Sequence, residues 1–468
     1  MFKTVLIAFT IAGTTLLAFP ATAPTPGRIA AVRLSQQREL GITITGNTGA
    51  KRRLAIQDFS AADATPEMQQ AAKTLTDVLW DDLDFEGEFY LISHTEVAKI
   101  PAADSPETLP YDRWSEIGAD GVFISTVRPT ATGIEVQVRL VGIRGDLTQK
   151  QIFGKVYNGC TLRNPRFCAH YISDDFYKDQ GIQGVAQTRL AFTSDRGNEL
   201  VQGRYSDNAG KEVYIADYDG ANPRRVTVNK RINISPSWSP DGRSIAYASY
   251  ASGFPDIFVQ NLTDIKLTKP MAGTDEIQSL TPAWSPDGSK LAFASKRPGE
   301  KNYNIYVVNR DGLNLRQLTR GENLDIAPAW SPSGGQIVFV SGRSGDAQLY
   351  LIGADGTGIQ RLNCQDSHCD HPSWSASTNK IAYTCGTNAG GYDICVLDMA
   401  TKQIVKLTDG VAQNEQPSFS PNGRHLVFIT TRWGKSQLAM VDLKGTVLKR
   451  HITDVGNNTY PSWSPTPQ

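Results

Sequence analysis

The sequence predicts an α/β N-terminal domain followed by an all-β six-bladed β-propeller closed by the C-terminal strand. Three observations predict it. A Pro-Ser-Trp-Ser-Pro-Asp-Gly motif recurs with its aromatic at Trp238, Trp284, Trp330, Trp374, Phe419 and Trp463, at intervals of 46, 46, 44, 45 and 44 residues. Each motif leads into the same succession of short apolar strands and turns. The last motif ends before its own further strands, while a matching set of strands without a motif starts at Leu190.

Each element has a physical reason. Pro-Asp-Gly, as at Pro240 to Gly242, is tight-turn chemistry: proline presets its backbone angle and glycine accepts positive φ. Apolar strands follow, such as Ile245-Ala-Tyr-Ala-Ser and Ile337-Val-Phe-Val-Ser. A third strand comes next, such as Asn304-Ile-Tyr-Val-Val, then a turn at Asp311-Gly312 and a fourth strand near Arg316. Four antiparallel strands per unit, repeated radially, make propeller blades. The strands from Leu190, Glu212 and Arg224 lack a first strand, and the terminal Trp463 segment supplies it, which gives six blades and no open sheet edge.

The propeller is expected over 189–468 and the α/β domain over 28–181. In the latter, Leu54 to Phe59 reads as a strand, and Thr65-Pro66-Glu67 opens a helix with a capping hydroxyl and proline in the first turn. Met68, Ala71, Ala72, Leu75, Val78, Leu79 and Leu83 recur at helical spacing. Tyr90 to Ile92 is a short strand, Trp114 to Ile117 a helix, and Gly121–Arg128 with Gly133–Val141 a hairpin.

Composition narrows the function. Lys plus Arg and Asp plus Glu both count 47, so the chain has no electrostatic footprint for nucleic acid or anionic lipid. The one long apolar run, Thr4 to Phe19, follows Lys3 and ends before Ala21-Thr22-Ala23, which reads as a secretory signal peptide over 1–23. Pro24 directly after that cut would hinder the peptidase, so the cleavage position stays open. In an exported chain the cysteines pair locally as three disulfide-closed loops: Cys160 with Cys168, Cys364 with Cys369, and Cys385 with Cys395. The rival reading is a metal site on Cys364, His368, Cys369 and His371, but four ligands on eight consecutive residues would strain a tetrahedron.

No catalytic motif appears. Gly-x-Ser-x-Gly is absent, and so are a phosphate loop and a dinucleotide fingerprint. His94, His170, His368, His371, His425 and His451 have no triad spacing and read as surface or internally satisfied residues. Asp217-Tyr-Asp219-Gly220-Ala-Asn222 partly resembles a calcium loop, but it lacks the closing acid and keeps the register of an inter-strand turn. Residues just before each repeat proline are expected at the mouth of the central channel: Asn233, Gln278, Asp325, Asp370, His371, Asn414, Glu415 and Asn458. A polar ring there could dock a partner segment, hold water or coordinate a cation such as calcium; no other cofactor is called for, and no protein-held metal is assigned.

The blades, together with Arg53-Leu-Ala-Ile-Gln-Asp-Phe59, Trp114-Ser-Glu-Ile-Gly-Ala-Asp-Gly-Val-Phe123, Val136-Gln-Val-Arg-Leu-Val141 and Tyr460-Pro-Ser-Trp-Ser-Pro465, resemble the TolB-type family of the Tol–Pal envelope system. The Cys160 to Cys168 segment and the irregular turn at Ser375-Ala-Ser-Thr378 depart from that pattern. The resemblance implies a non-enzymatic periplasmic adaptor, peripheral to the membrane through its partners only. It would bind the peptidoglycan-associated lipoprotein Pal through the propeller, and TolA or another inner-membrane Tol protein through an N-terminal segment containing Arg33, Leu34, Arg38 and Leu40. It would thereby keep the outer membrane intact and in step with constriction at cell division. The alternative is an exported propeller enzyme of lyase or lactonase type, with a channel-mouth metal held by Asp325, Asp370, His371 and Glu415.

Overall fold

The computed structural model describes residues 29–33, 51–62, 65–197, 200–201, 204–205, 210–264, 267–268, 276–364, 367–387, 390–444, 448–452 and 455–467. The expected signal peptide, and Leu34, Arg38 and Leu40, lie outside them.

The N-terminal domain is a mixed sheet ordered Ala30–Arg33, Gln151–Cys160, Ile134–Gly142, Gly121–Pro129, Arg53–Ile56 and Tyr90–Leu91, with Ser60–Ala61 also paired to Gly121–Pro129. Two long helices cover one face. Pro66–Glu86 starts on its proline and stops at Gly87, whose φ of 65° supplies the left-handed cap. Thr65 takes the N-cap position, but its hydroxyl does not make the cap hydrogen bond expected of it. The second helix, Pro165–Asp179, was not anticipated; it is capped by Asn164, whose side chain accepts from Phe167 N at 3.2 Å. Its Phe176 packs edge-on against Phe123 and Phe153 of the sheet. On the opposite face Trp114, on the helix Tyr111–Glu116, is fully buried among Ala55, Ile92 and Val122. The Cys160–Cys168 disulfide ties the last strand to the second helix.

Six four-stranded blades follow. The inner strands of blades two to six are Asn233–Trp238, Gln278–Trp284, Asp325–Trp330, Cys369–Trp374 and Asn414–Phe419. In blade one the inner strand is Asn458–Trp463, paired antiparallel to Arg189–Ser194 with Trp463 opposite Leu190. Two of the repeated indoles bond between blades: Trp284 Nε1 donates to Ser237 O at 3.2 Å, and Trp330 Nε1 to Ala283 O at 3.1 Å. Most apolar clusters therefore lie in the seams, as where Trp284 and Phe293 meet Ala248 and Ile257 of the blade before. Blade five carries the other two disulfides, Cys364–Cys369 and Cys385–Cys395.

The two domains meet at the closing seam. Phe85, near the end of the first helix, packs into a cluster with Leu190, Phe192, Val427, Leu438 and Trp463, and stacks on His425 at 4.4 Å. Around it the contact is polar. Arg424 reaches Glu86 and Glu88, each at 2.5 Å, and Asp174 accepts from the backbone N–H of Ala186 and Gln187 at 2.9 Å. His170 and His425 are buried here, not on the surface.

Two outcomes follow from this packing. Truncation after Asn458 removes the strand that closes blade one, and cooperative unfolding in urea is expected to be lost; an unchanged transition would contradict the closure. The second concerns Glu86, which faces Arg424, Asp174, Glu88 and His425. Burial pushes its carboxyl up to about 8 against the pull of Arg424, and burial likewise raises Asp174 to about 6. A carboxyl with a raised folded pKa keeps its proton after the unfolded chain has lost it, so its contribution falls as pH climbs from 4.5 to about 8. Relative to Glu86→Gln, the unsubstituted chain is expected to lose on the order of a few kcal/mol between pH 5 and 8 in paired urea titrations; parallel curves would refute this.

Candidate functional site: the propeller funnel

The central channel opens into a funnel of about 440 Å³, walled by the repeat prolines and aromatics. It opens on the face that carries the turns after the inner strands. One of those turns and the segment after the last inner strand touch the linker from the N-terminal domain: Asn422 Nδ2 donates to Gln183 O at 3.1 Å, and Gln183 Nε2 to Thr466 Oγ1 at 2.9 Å.

A repeated backbone device shapes the funnel. Every inner strand shifts register by a bulge just before its proline, between Ile234 and Ser237 in blade two and at the equivalent place in all six. The residue preceding proline is thrown into the left-handed region: Ser235 at φ 54°, Thr281 at 50°, Ala327 at 50°, His371 at 45°, Gln416 at 55° and Tyr460 at 51°. None is glycine, so each blade carries local strain of about 1–3 kcal/mol at the site it builds. These six residues all line the funnel.

The ring is chemically uneven. Adjacent members bond in places: Tyr460 N donates to Gln416 Oε1 at 2.7 Å, and Ala327 N to Thr281 Oγ1 at 3.2 Å. The rings of His371 and Tyr460 lie 6.0 Å apart. The Ser235 hydroxyl is buried with no hydrogen-bond partner. His371 Nδ1 sits 3.2 Å from Asp370 Oδ2, and His371 N donates to Asp370 Oδ1 at 2.6 Å. Burial would lower the imidazole, but Asp370 and then Glu415 outweigh it and hold it above its ordinary value. Burial would raise Asp370, and His371 outweighs that, whereas burial prevails at Glu415 and raises it. One wall of the funnel therefore favours a cationic imidazole between two acids.

The expected mouth residues fall into two groups, with Gln278 apart from both. His371 lines the funnel, with Asp370 and Glu415 half-buried beside it. Asn233, Asp325, Asn414 and Asn458 instead are buried at the starts of the inner strands and act as clamps. Asn233 donates to Glu212, Asn414 to Asp393 and Asn458 to Gln437, each reaching the third strand of the preceding blade. Asp325 is gripped by Arg343 through both oxygens, at 3.1 and 3.0 Å. Gln278 is half-buried and accepts from the Tyr303 hydroxyl at 2.8 Å. Among the described residues, Asp325, Asp370, His371 and Glu415 do not bring their ligand atoms together as a metal set. The bulge explains the difference: its extra residue turns the position directly before each proline into the channel and the strand start back into the seam. Ser235, Thr281, Ala327, Gln416 and Tyr460 were not singled out, although their place before each repeat proline was the available signal. At the other end of the chain, Arg33 closes the edge strand Ala30–Arg33, which pairs with Gln151–Cys160 of the chain's own sheet.

Fold and funnel define a class: six-bladed propellers with an α/β domain seated on the closing seam. The comparisons are specific. A family model described as the TolB beta propeller domain matches residues 176–467, and one described as the TolB amino-terminal domain matches residues 40–149. The chain belongs to the TolB family. It is 31% identical over 213 residues to the Tol-Pal system protein TolB of Desulfosudis oleivorans, covering 45% of each chain. To the Tol-Pal system protein TolB of Bordetella avium it is 34% identical over 226 residues, 48% of this chain and 46% of that protein. The chain thus spans about half the length of the curated relatives it matches. The crystal structure of TolB from Acinetobacter baumannii superposes with a TM-score of 0.74 at 23% identity, over 94% of this chain and all of that one, and supports the fold.

The strain at the bulge is testable. Glycine within a strand normally costs roughly 0.5–1 kcal/mol relative to alanine. At Ala327 the backbone is already left-handed, so Ala327→Gly is expected to be neutral or stabilising by urea titration. A loss of about 1 kcal/mol would mean that the bulge carries no strain.

Proposed function

We propose that the chain is a non-enzymatic, exported adaptor of the Tol–Pal envelope system, working in the periplasm and needing no cofactor for that role. The observation that carries this reading is the match of both TolB domain models, in order, on one chain. The relatives it resembles are named Tol-Pal system proteins. No helix among the described residues is long and apolar enough to cross a membrane.

In this reading the lipoprotein Pal docks at the propeller funnel, where the His371–Asp370–Glu415 wall and an aromatic rim offer charge and apolar area together. TolA or another inner-membrane Tol protein takes the segment from Arg33 onward, including Leu34, Arg38 and Leu40, by adding a strand. Linking the two would hold the outer membrane to the constricting envelope.

The test is a pull-down of the full mature chain from envelope extract, read by mass spectrometry. Enrichment of a peptidoglycan-binding lipoprotein is expected, weakened at least tenfold by His371→Ala in a variant whose circular dichroism is unchanged. Capture of no Tol or Pal component would overturn the proposal.

A further inference from the structure

We propose that His170, Asp217 and Asp219 form a site for a divalent transition-metal ion of the zinc class, at the junction of the N-terminal domain and blade one. The imidazole comes from the helix Pro165–Asp179, and the carboxylates from the last residue of the strand Glu212–Asp217 and the turn after it. One ligand atom from each lies within 4.8 Å of the others.

A second observation points at a ligand. His170 is 3% exposed, its Nε2 has no hydrogen-bond partner, and that nitrogen faces Asp219 Oδ2 at 3.8 Å. Its other nitrogen is committed. Nδ1 lies 2.9 and 3.1 Å from the two oxygens of Asp82, which also accepts from the Tyr218 hydroxyl at 2.6 Å. Burial would lower the His170 imidazole, but Asp82 and then Asp219 and Asp217 outweigh it. With Nδ1 held by Asp82, Nε2 points its proton at the two carboxylates in the metal-free chain and releases that proton when an ion takes its place. A carboxylate behind the imidazole is the arrangement that orients metal-binding histidines and raises their basicity.

The donor set selects the ion. Calcium and magnesium take oxygen ligands, whereas one imidazole nitrogen with two carboxylates suits zinc and its neighbours, with water completing a tetrahedron. Ligands about 2.1 Å from such an ion stand ~3.4 Å apart, so the cluster closes by roughly 1 Å on binding. Local contacts already hold both acids: Asp217 Oδ2 accepts from Asn222 at 2.6 Å and Asp219 Oδ1 from Ala221 N at 3.0 Å. The Arg166 guanidinium rests on Asp219 Oδ2. It supplies further positive charge in the metal-free chain, and its side chain, 31% exposed, can swing outward as the ion enters. The bound ion then cross-links the two domains. This holds whether or not the adaptor reading does.

The experiment uses the full mature chain without a histidine tag, stripped with EDTA and dialysed against micromolar zinc chloride. Elemental analysis is expected to find one ion per chain, and the melting temperature to rise by several degrees. Both effects disappear in His170→Gln and in Asp217→Asn and persist in His371→Gln. If His170→Gln does not fold, Asp217→Asn decides. Absence of bound ion in the unsubstituted chain, or equal retention in the folded variants, overturns the site.

Discussion

Everything in this molecule leans on one strand pairing across nearly the whole propeller: Asn458–Trp463 against Arg189–Ser194. Until that pair forms, blade one lacks its inner strand and Arg189–Ser194 presents an open edge to the channel. The pairing also builds the surface on which the N-terminal domain sits, because Trp463 and Leu190 belong to the cluster that receives Phe85. Trp463 Nε1 then donates to Thr188 Oγ1 at 2.7 Å, fastening the last strand to the entrance of the first. Ring closure and domain docking are thus one packing event. The segment entering the propeller is held by Asp174 and Glu86 from the N-terminal domain, which places the acids of one domain at the start of the other.

A sixfold ring needs identical strands to do two jobs, and the bulge lets them. Asn233, Asn414 and Asn458 face the seam and bind the preceding blade, while Ser235, Gln416 and Tyr460, two positions on, face the channel. Proline directly after the bulge has no N–H to leave unpaired where the ladder is broken, and it restricts the residue before it. The architecture therefore fixes where six side chains meet but not what they are. That freedom is visible in blade five, where His371 with Asp370 puts charge on one wall of an otherwise neutral ring.

The propeller was legible in the sequence because its signal is repeated: six aromatics at one spacing outweigh any single ambiguous strand. Blade number and closure followed from bookkeeping at the two ends. The N-terminal hairpin and first helix were legible from alternation and helical spacing. The helix Pro165–Asp179 was not, because its buried face is built from Cys168, His170, Ser173, Asp174 and Tyr177 beside Ile172 and Phe176, and so carries no clean apolar stripe. Of the expected channel residues His371 does line the funnel, whereas Asn233, Asp325, Asn414 and Asn458 are turned into the seams by the bulge, a backbone event with no side-chain signature. The group at His170 was illegible for another reason. Its members are separated by a domain junction, and Asp217 to Asn222 taken alone is an ordinary turn.

That junction differs in kind from the seams between blades. Blade seams are apolar and filled by alanine, isoleucine and aromatic side chains, so they have one good arrangement. The domain junction surrounds one phenylalanine with Asp82, Glu86, Asp174, His170, His425 and Arg424. Buried polar groups are stable only in company, and these have their partners on other elements: Asp82 with His170 and Tyr218, Glu86 with Arg424 and Val185 N. Such a contact resists partial loosening, since pulling one group away strands another without solvent. The linker and the segments it touches stand on the same face as the funnel, so this polar junction forms part of the funnel's rim.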